Sequence, residues 1–125
     1  NDEILINEIA PRPHNSGHLT IEGCETSQYE QHIRCIFDFP LGNSKIYNDI
    51  VMMNVVGPPK IKGEFEFINI DKILKKSSMS FHFYGKKVTK PNRKLGHITM
   101  KGDKKDKILN ELKKVKSTLK IIEKT

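Results

Sequence analysis

Residues 7–18 read NEIAPRPHNSGH, bringing together a carboxylate, an arginine, two histidines and two asparagines on a stretch stiffened by Pro11 and Pro13. Just upstream, residues 3–9 (EILINEI) are rich in Ile and Leu and stop at Ala10-Pro11. That pattern predicts a buried strand ending in a loop, with Asn7 and Glu8 projecting at its end. Pro11, Pro13 and Gly17 oppose a helix through residue 18, and Asn15 and Ser16 supply turn chemistry. A carboxylate at a strand end can ligate magnesium, and an arginine four residues later can grip an oxyanion through its planar fork. On spacing alone a surface ion pair is the commoner reading of Glu8 and Arg12. Beyond Glu8 and Arg12, the loop adds the imidazole of His14, the amide of Asn15 and the hydroxyl of Ser16. Oriented donors of this kind suit a small anion, because they stabilise developing negative charge without reorganising. Polar groups that satisfy one another are the plain structural alternative.

Outward from this stretch the pattern is that of mixed α/β (α+β) structure. Ser27-x-x-Glu30 has capping-box spacing, and Tyr29, Ile33, Ile36 and Phe37 recur near the helical period, so residues 27–37 should form a helix closed before Pro40. Residues 50–56 (IVMMNVV) form an apolar run stopped by Gly57-Pro58-Pro59, the signature of a strand buried on both faces. A boundary near residues 43–49 divides the chain into an N-terminal part, 1–45, and a small β-rich part, 46–125. Residues 70–76 suggest a short helix. Residues 80–84 and 97–100 alternate as strands that can pair as a long-looped hairpin across the basic loop 85–95. Ile108, Leu109, Leu112, Val115 and Leu119 fall on one face of a closing helix begun by Asp103, whose carboxylate is placed to cap it.

Charge and composition narrow the function classes. The 22 Lys and Arg outnumber the 15 Asp and Glu, for a net charge of +7. Such a balance suits a nucleic-acid or phosphate partner, yet eight of these cations are lysines between Lys101 and Lys120, on the closing helix opposite its apolar face. A solvated lysine face therefore accounts for most of the excess, and no aromatic residues interleave with a basic surface to favour RNA. No apolar run approaches the roughly 20 residues of a membrane span. Cys24 and Cys35 lack zinc-type spacing and read as reduced structural thiols. His32, Arg34 and His82 fall in regular elements and read as packed or surface residues, and Met52, Met53 and Met79 as core filler. The basic loop offers a second anion site, since Lys86, Lys87, Lys90, Arg93 and Lys94 between two strands make a good phosphate clamp.

NEIAPRPHNSGH, followed in order by TSQYEQHIR, MMNVVG, YGKK and RKLGHITM, resembles the N5-carboxyaminoimidazole ribonucleotide synthetases of the ATP-grasp ligases over residues 3–101. The resemblance implies the C-terminal end of an ATP-grasp domain followed by a small β-rich domain with a closing helix. It implies that ATP, with Mg²⁺, phosphorylates bicarbonate to carboxyphosphate, and that the amine of aminoimidazole ribonucleotide captures the carboxyl group in purine biosynthesis. By the same resemblance Glu8 looks like a magnesium ligand with Asn7 beside it in the nucleotide site. Arg12, His14 and Asn15 look like the bicarbonate pocket, with His18 a further polar neighbour, and Lys86 and Arg93 look like the clamp for the ribonucleotide phosphate. Ala10 departs from the general E-x-N-x-R pattern, which leaves the second metal's ligands open. A glycine-rich phosphate loop, triphosphate lysines and an adenine slot are not assignable in this chain, so an N-terminal nucleotide-binding portion is expected upstream. A homodimer, a cytoplasmic setting and no nucleic-acid or membrane partner complete the expectation. Two alternatives stay open: a formate-using glycinamide ribonucleotide transformylase, which shares the PRPH loop, and a non-enzymatic basic module binding anions or RNA.

Overall fold

The computed structural model describes residues 3–47 and 49–124. Asn1, Asp2, Asn48 and Thr125 lie outside the described residues, and with Asn48 one position of the expected boundary. In chain order the elements are a 3₁₀ turn at Asn15–His18, α1 (Leu19–Gly23), α2 (Gln28–Ile36), β1 (Asp49–Val56), β2 (Gly63–Ile68), α3 (Ile70–Leu74), β3 (Met79–Phe83), β4 (Val88–Thr89), β5 (Lys94–Gly102), α4 (Lys105–Thr118) and β6 (Lys120–Glu123).

β5 is the centre of an antiparallel sheet ordered β1-β5-β3. The expected pairing of β3 with β5 is present, with Phe81 opposite Ile98 and His82 opposite His97. β1 lies along the other edge, Met53 opposite Ile98 and Asn54 opposite His97. Since side chains alternate across a sheet, Met53, Val55, Ile98, Met100 and Phe81 share one face. Ile108, Leu112 and Val115 of α4 pack there, forming the core with Ile73. Full burial of each such side chain contributes roughly 1.5–3 kcal/mol. The opposite face carries Asn54, His97, Thr99 and His82, and it receives α1. A second sheet, β4-β2-β6, brings Phe67 and Ile121 against the same core.

Several expectations need correction. Residues 3–10 form no regular element and are exposed, Ile4 at 97% and Ile6 at 95%. Their strand-like pattern meets no partner strand among the described residues, and a strand without a ladder partner has nothing to hold it. β1 is an edge strand rather than one buried on both faces, with Val55 its only buried residue. α4 is capped not by Asp103 but by Asp49, whose Oδ2 accepts from the Lys105 backbone N–H at 3.0 Å. The helix also ends at Thr118, where Ser117 and Thr118 hydroxyls return to the Lys114 carbonyl at 2.8 Å. The β-branched pair Ile121-Ile122 then continues as β6 against Phe67 and Glu66. α2 begins as expected, Ser27 Oγ accepting from the Glu30 N–H at 3.1 Å, although Glu30 turns to Arg34 at 2.7 Å instead of closing the box. The lysines of α4 lie exposed opposite its buried face.

Two glycines test this packing. A Cβ on Gly96 would run into the His82 carbonyl oxygen of the paired strand, whereas one on Gly85, at φ 65°, would meet open space. Gly96→Ala is expected to cost about 2 kcal/mol or more and to lower Tm by several degrees. Gly85→Asn, a residue that tolerates the left-handed region, should cost under about 1 kcal/mol. Thermal unfolding of the two variants checks the contrast, and equal losses would contradict it.

Candidate functional site

The loop at residues 11–18 is held from several sides. The Gly17 N–H closes the 3₁₀ turn on the His14 carbonyl at 2.9 Å, and the Tyr29 hydroxyl of α2 donates to that same oxygen at 3.0 Å. Thr20 links the turn to α2, donating from Oγ1 to the Gly17 carbonyl at 2.5 Å and accepting from the Gln28 N–H at 2.8 Å. Gly17 is buried, and a Cβ there would collide with the Gln28 side chain, so the turn sits directly on α2.

Within this frame His14 and Asn15 have fixed roles. His14 Nδ1 accepts from the Ser16 N–H at 3.3 Å and lies 3.0 Å from Ser16 Oγ. Its neutral ring therefore carries the hydrogen on Nε2, leaving that N–H as its remaining donor. Asn15 is gripped at both ends of its amide: Nδ2 donates to Asn54 Oδ1 at 3.1 Å, and Oδ1 accepts from Lys94 Nζ at 2.6 Å. Those partners come from β1 and β5, so the bridge ties the loop to the sheet. A bulge between Val55 and Val56, opposite Lys94, breaks the simple alternation there.

The other expected site residues lie apart from this bridge. The Arg12 guanidinium donates to its neighbour's carbonyl, Pro13 O, at 3.2 Å and borders an open pocket of about 320 Å³ shared with Gln28, Gln31 and His32 of α2. Asn7 and Glu8 lie on the exposed stretch that forms no regular element. Lys86 lines a pocket of about 400 Å³ together with Phe65, Phe67, Phe83, Lys87, Lys124 and the carboxylate-bearing Glu64. Arg93 donates to the Val88 carbonyl at 3.2 Å, in a loop fixed by the paired hydrogen bonds of Gly57 with Arg93 and Asn92.

A third group was not singled out from the sequence. His18, His97 and His82 form a column, with ring centroids 4.4 Å apart for the first pair and 4.5 Å for the second. Tyr29 stacks on the outer side of His18 at 5.3 Å. The Tyr84 hydroxyl bridges His18 Nδ1 at 2.8 Å and His97 Nδ1 at 2.9 Å, and Glu22 Oε1 lies 2.5 Å from His82 Nε2. Burial, reinforced by His18 and His82, lowers His97 to about 4. Burial and then His82 also lower His18, and burial raises the hydroxyls of Tyr29 and Tyr84. His97 is thus a neutral imidazole near pH 7. The signal was present: His82 and His97 both alternate with apolar residues in expected strands, and pairing those strands in register sets the rings side by side.

Replacing Lys94 with Met removes one grip on Asn15 without touching the core. The variant should lose no more than about 1 kcal/mol of stability, while the Asn15 side-chain amide protons shift in a ¹H–¹⁵N spectrum. Unchanged resonances would contradict the bridge.

The chain matches two family models, the phosphoribosylaminoimidazole carboxylase C-terminal domain over residues 50–111 and the ATP-grasp domain over residues 1–29. It is 42% identical over 110 residues to the N5-carboxyaminoimidazole ribonucleotide synthase of Bacillus subtilis, covering 88% of this chain and 27% of that protein. Among solved structures it is similar to the synthetase from Thermotoga maritima, with a TM-score of 0.91 and 46% identity over 98% of this chain and 34% of the other. An Aspergillus clavatus N5-carboxyaminoimidazole synthase in complex with ADP and 5-aminoimidazole ribonucleotide matches 93% of this chain and 31% of its own, with a TM-score of 0.77 and 32% identity. The chain therefore spans about a quarter to a third of the length of these relatives.

Proposed function

Because the chain belongs to the N5-carboxyaminoimidazole ribonucleotide synthetase family, whose C-terminal domain it carries, we propose that it forms the bicarbonate- and ribonucleotide-handling part of an ATP-grasp ligase of purine biosynthesis. In this reading ATP and bicarbonate give ADP and carboxyphosphate, and the amine of aminoimidazole ribonucleotide takes the carboxyl group with release of phosphate. The observation that carries it is the fixed loop at residues 12–16. Its donors are held on α2 through Tyr29 and on the sheet through Asn54 and Lys94. Preorganised donors of this kind stabilise an oxyanion at no reorganisation cost.

Arg12 supplies a permanent, bidentate cation for bicarbonate or carboxyphosphate. His14 supplies the Nε2–H, since Ser16 holds its Nδ1. Asn15 is oriented by the two partners that hold its amide, and His18 backs the loop by stacking between Tyr29 and His97. Lys86 and Arg93 hold the ribonucleotide phosphate; support comes from the fixed turn that carries Arg93 and from Lys86 in the lining of a partly aromatic pocket. Glu8 offers a hard oxygen suited to one position on Mg²⁺, with Asn7 beside it toward ATP, and the remaining ligands belong elsewhere in the ligase. Bound there, the metal would neutralise phosphate charge.

The exposed Ile4, Leu5, Ile6 and Ile9 fit a strand completed by the rest of an ATP-grasp sheet. A division into 1–45 and 46–125 is supported by the separate stretches that the two family models match. A homodimer and a cytoplasmic setting belong to the same reading. Among the described residues no helix is long and apolar enough to cross a membrane.

In the complete gene product, label from [¹⁴C]bicarbonate, not from [¹⁴C]formate, is expected in the ribonucleotide product; incorporation from formate would favour the transformylase chemistry. Arg12→Lys should lower kcat/KM by about 10²-fold, the loss typical of a misplaced oxyanion donor. Glu8→Gln should impair ATP cleavage itself. Lys86→Ala should raise the KM for ribonucleotide and spare bicarbonate-dependent ATP hydrolysis measured without it. If Lys86→Ala abolished that hydrolysis, the division of roles would be wrong.

A further inference from the structure

The polar face of the first sheet holds a cluster that the ligase chemistry leaves unused. Glu22 of α1, His82 of β3 and His97 of β5 each present one ligand atom, and these atoms all lie within 4.8 Å of one another. The strand register sets His82 opposite His97, and α1 packs against β5. Glu22 Oε1 is engaged by His82, but Glu22 Oε2 and His97 Nε2 are buried without a hydrogen-bond partner. His97 is 1% exposed. Two buried polar atoms left unsatisfied within one cluster mark a place that a further group completes.

The chemistry of that group follows from the donors. Tyr84 occupies His97 Nδ1, and when His97 donates there, the hydroxyl passes its own hydrogen to His18 Nδ1. In that tautomer His97 Nε2 carries a lone pair and no hydrogen, in a cluster whose ligand atoms, a Glu22 oxygen among them, lie within 4.8 Å of one another. A lone pair and a carboxylate oxygen that lack donors within one buried cluster are both satisfied by a cation. Two imidazoles and one carboxylate form a borderline-soft N/N/O set, which suits zinc and its neighbours rather than magnesium. The Tyr84 hydroxyl on the far nitrogen of His97 is the outer partner that orients a metal-ligating histidine.

We infer that Glu22, His82 and His97 bind a divalent cation of the zinc class, with water completing its coordination. The rings of His82 and His97 are parallel to within 14°, so their nitrogens lie side by side rather than converging. Binding therefore turns the His82 ring about its Cβ–Cγ bond. His82 is the member free to do so, its side chain being 36% exposed, and it opens the route from solvent. The bound cation would pin α1, which follows the loop at residues 12–18, to the central strand. The inference rests on the fold and not on the proposed ligase activity.

The test uses the complete gene product, stripped with chelator and kept in excess Mg²⁺ so that all-oxygen sites stay filled. Zinc titration by calorimetry and Co²⁺ titration by visible absorption should show one site with a Kd of ~10 µM or tighter. A Tm raised by several degrees should accompany saturation. Glu22→Gln and His82→Gln, whose folding is checked by circular dichroism, should each weaken binding by about tenfold or more. His32→Gln, at an exposed histidine on α2, should bind as the parent does. Absence of stoichiometric binding would overturn the inference, as would affinity unchanged in both Glu22→Gln and His82→Gln or lost in His32→Gln.

Discussion

β5 is paired along both edges, and every residue from Leu95 to Met100 is withdrawn from water. A strand in that position has no freedom to slip, because a one-residue shift would drive its apolar set to the wrong side. Ile98 and Met100 therefore face α4, and His97 and Thr99 face α1. The first choice makes the core, where Ile108, Leu112 and Val115 pack. The second makes a polar seam inside the molecule, which has to be satisfied by hydrogen bonds or ions.

The loop at residues 12–18 depends on that seam more than on its own sequence. Prolines and a 3₁₀ turn stiffen it, but its orientation comes from outside, through Tyr29 on the His14 carbonyl and through Lys94 and Asn54 on Asn15. Both sheet partners lie at the end of β1 and β5 where the bulge occurs. The result joins two parts of the chain that the family models match separately. A loop borne by the first part has its amide oriented by strands of the second.

Much of this was legible in residue pattern, and what was not has a common cause. Ser27 and Glu30 announced α2, and alternation at residues 80–84 and 97–100 announced a hairpin, because caps and strand faces are local codes. The loop stood out through its density of donors, although the roles of its residues followed from resemblance rather than from spacing. Three features depended on distant partners. Residues 3–9 carry a strand pattern whose partner is not among the described residues. Lys120–Glu123 is drawn into a strand by Phe67 and its neighbours rather than by its own helical prelude. Asn54, Lys94, His97 and Glu22 take up these contacts only when register and helix packing bring them together.

If residues 12–16 hold bicarbonate for attack on the terminal phosphorus of ATP, one bicarbonate oxygen bridges carbon and phosphorus in carboxyphosphate. That oxygen remains on phosphorus when the amine takes the carboxyl group. The most direct measurement supplies ¹⁸O-bicarbonate, ATP and aminoimidazole ribonucleotide to the complete gene product and weighs the released inorganic phosphate. One ¹⁸O atom transferred per turnover is the predicted result. Phosphate released at the same rate without label would contradict the account.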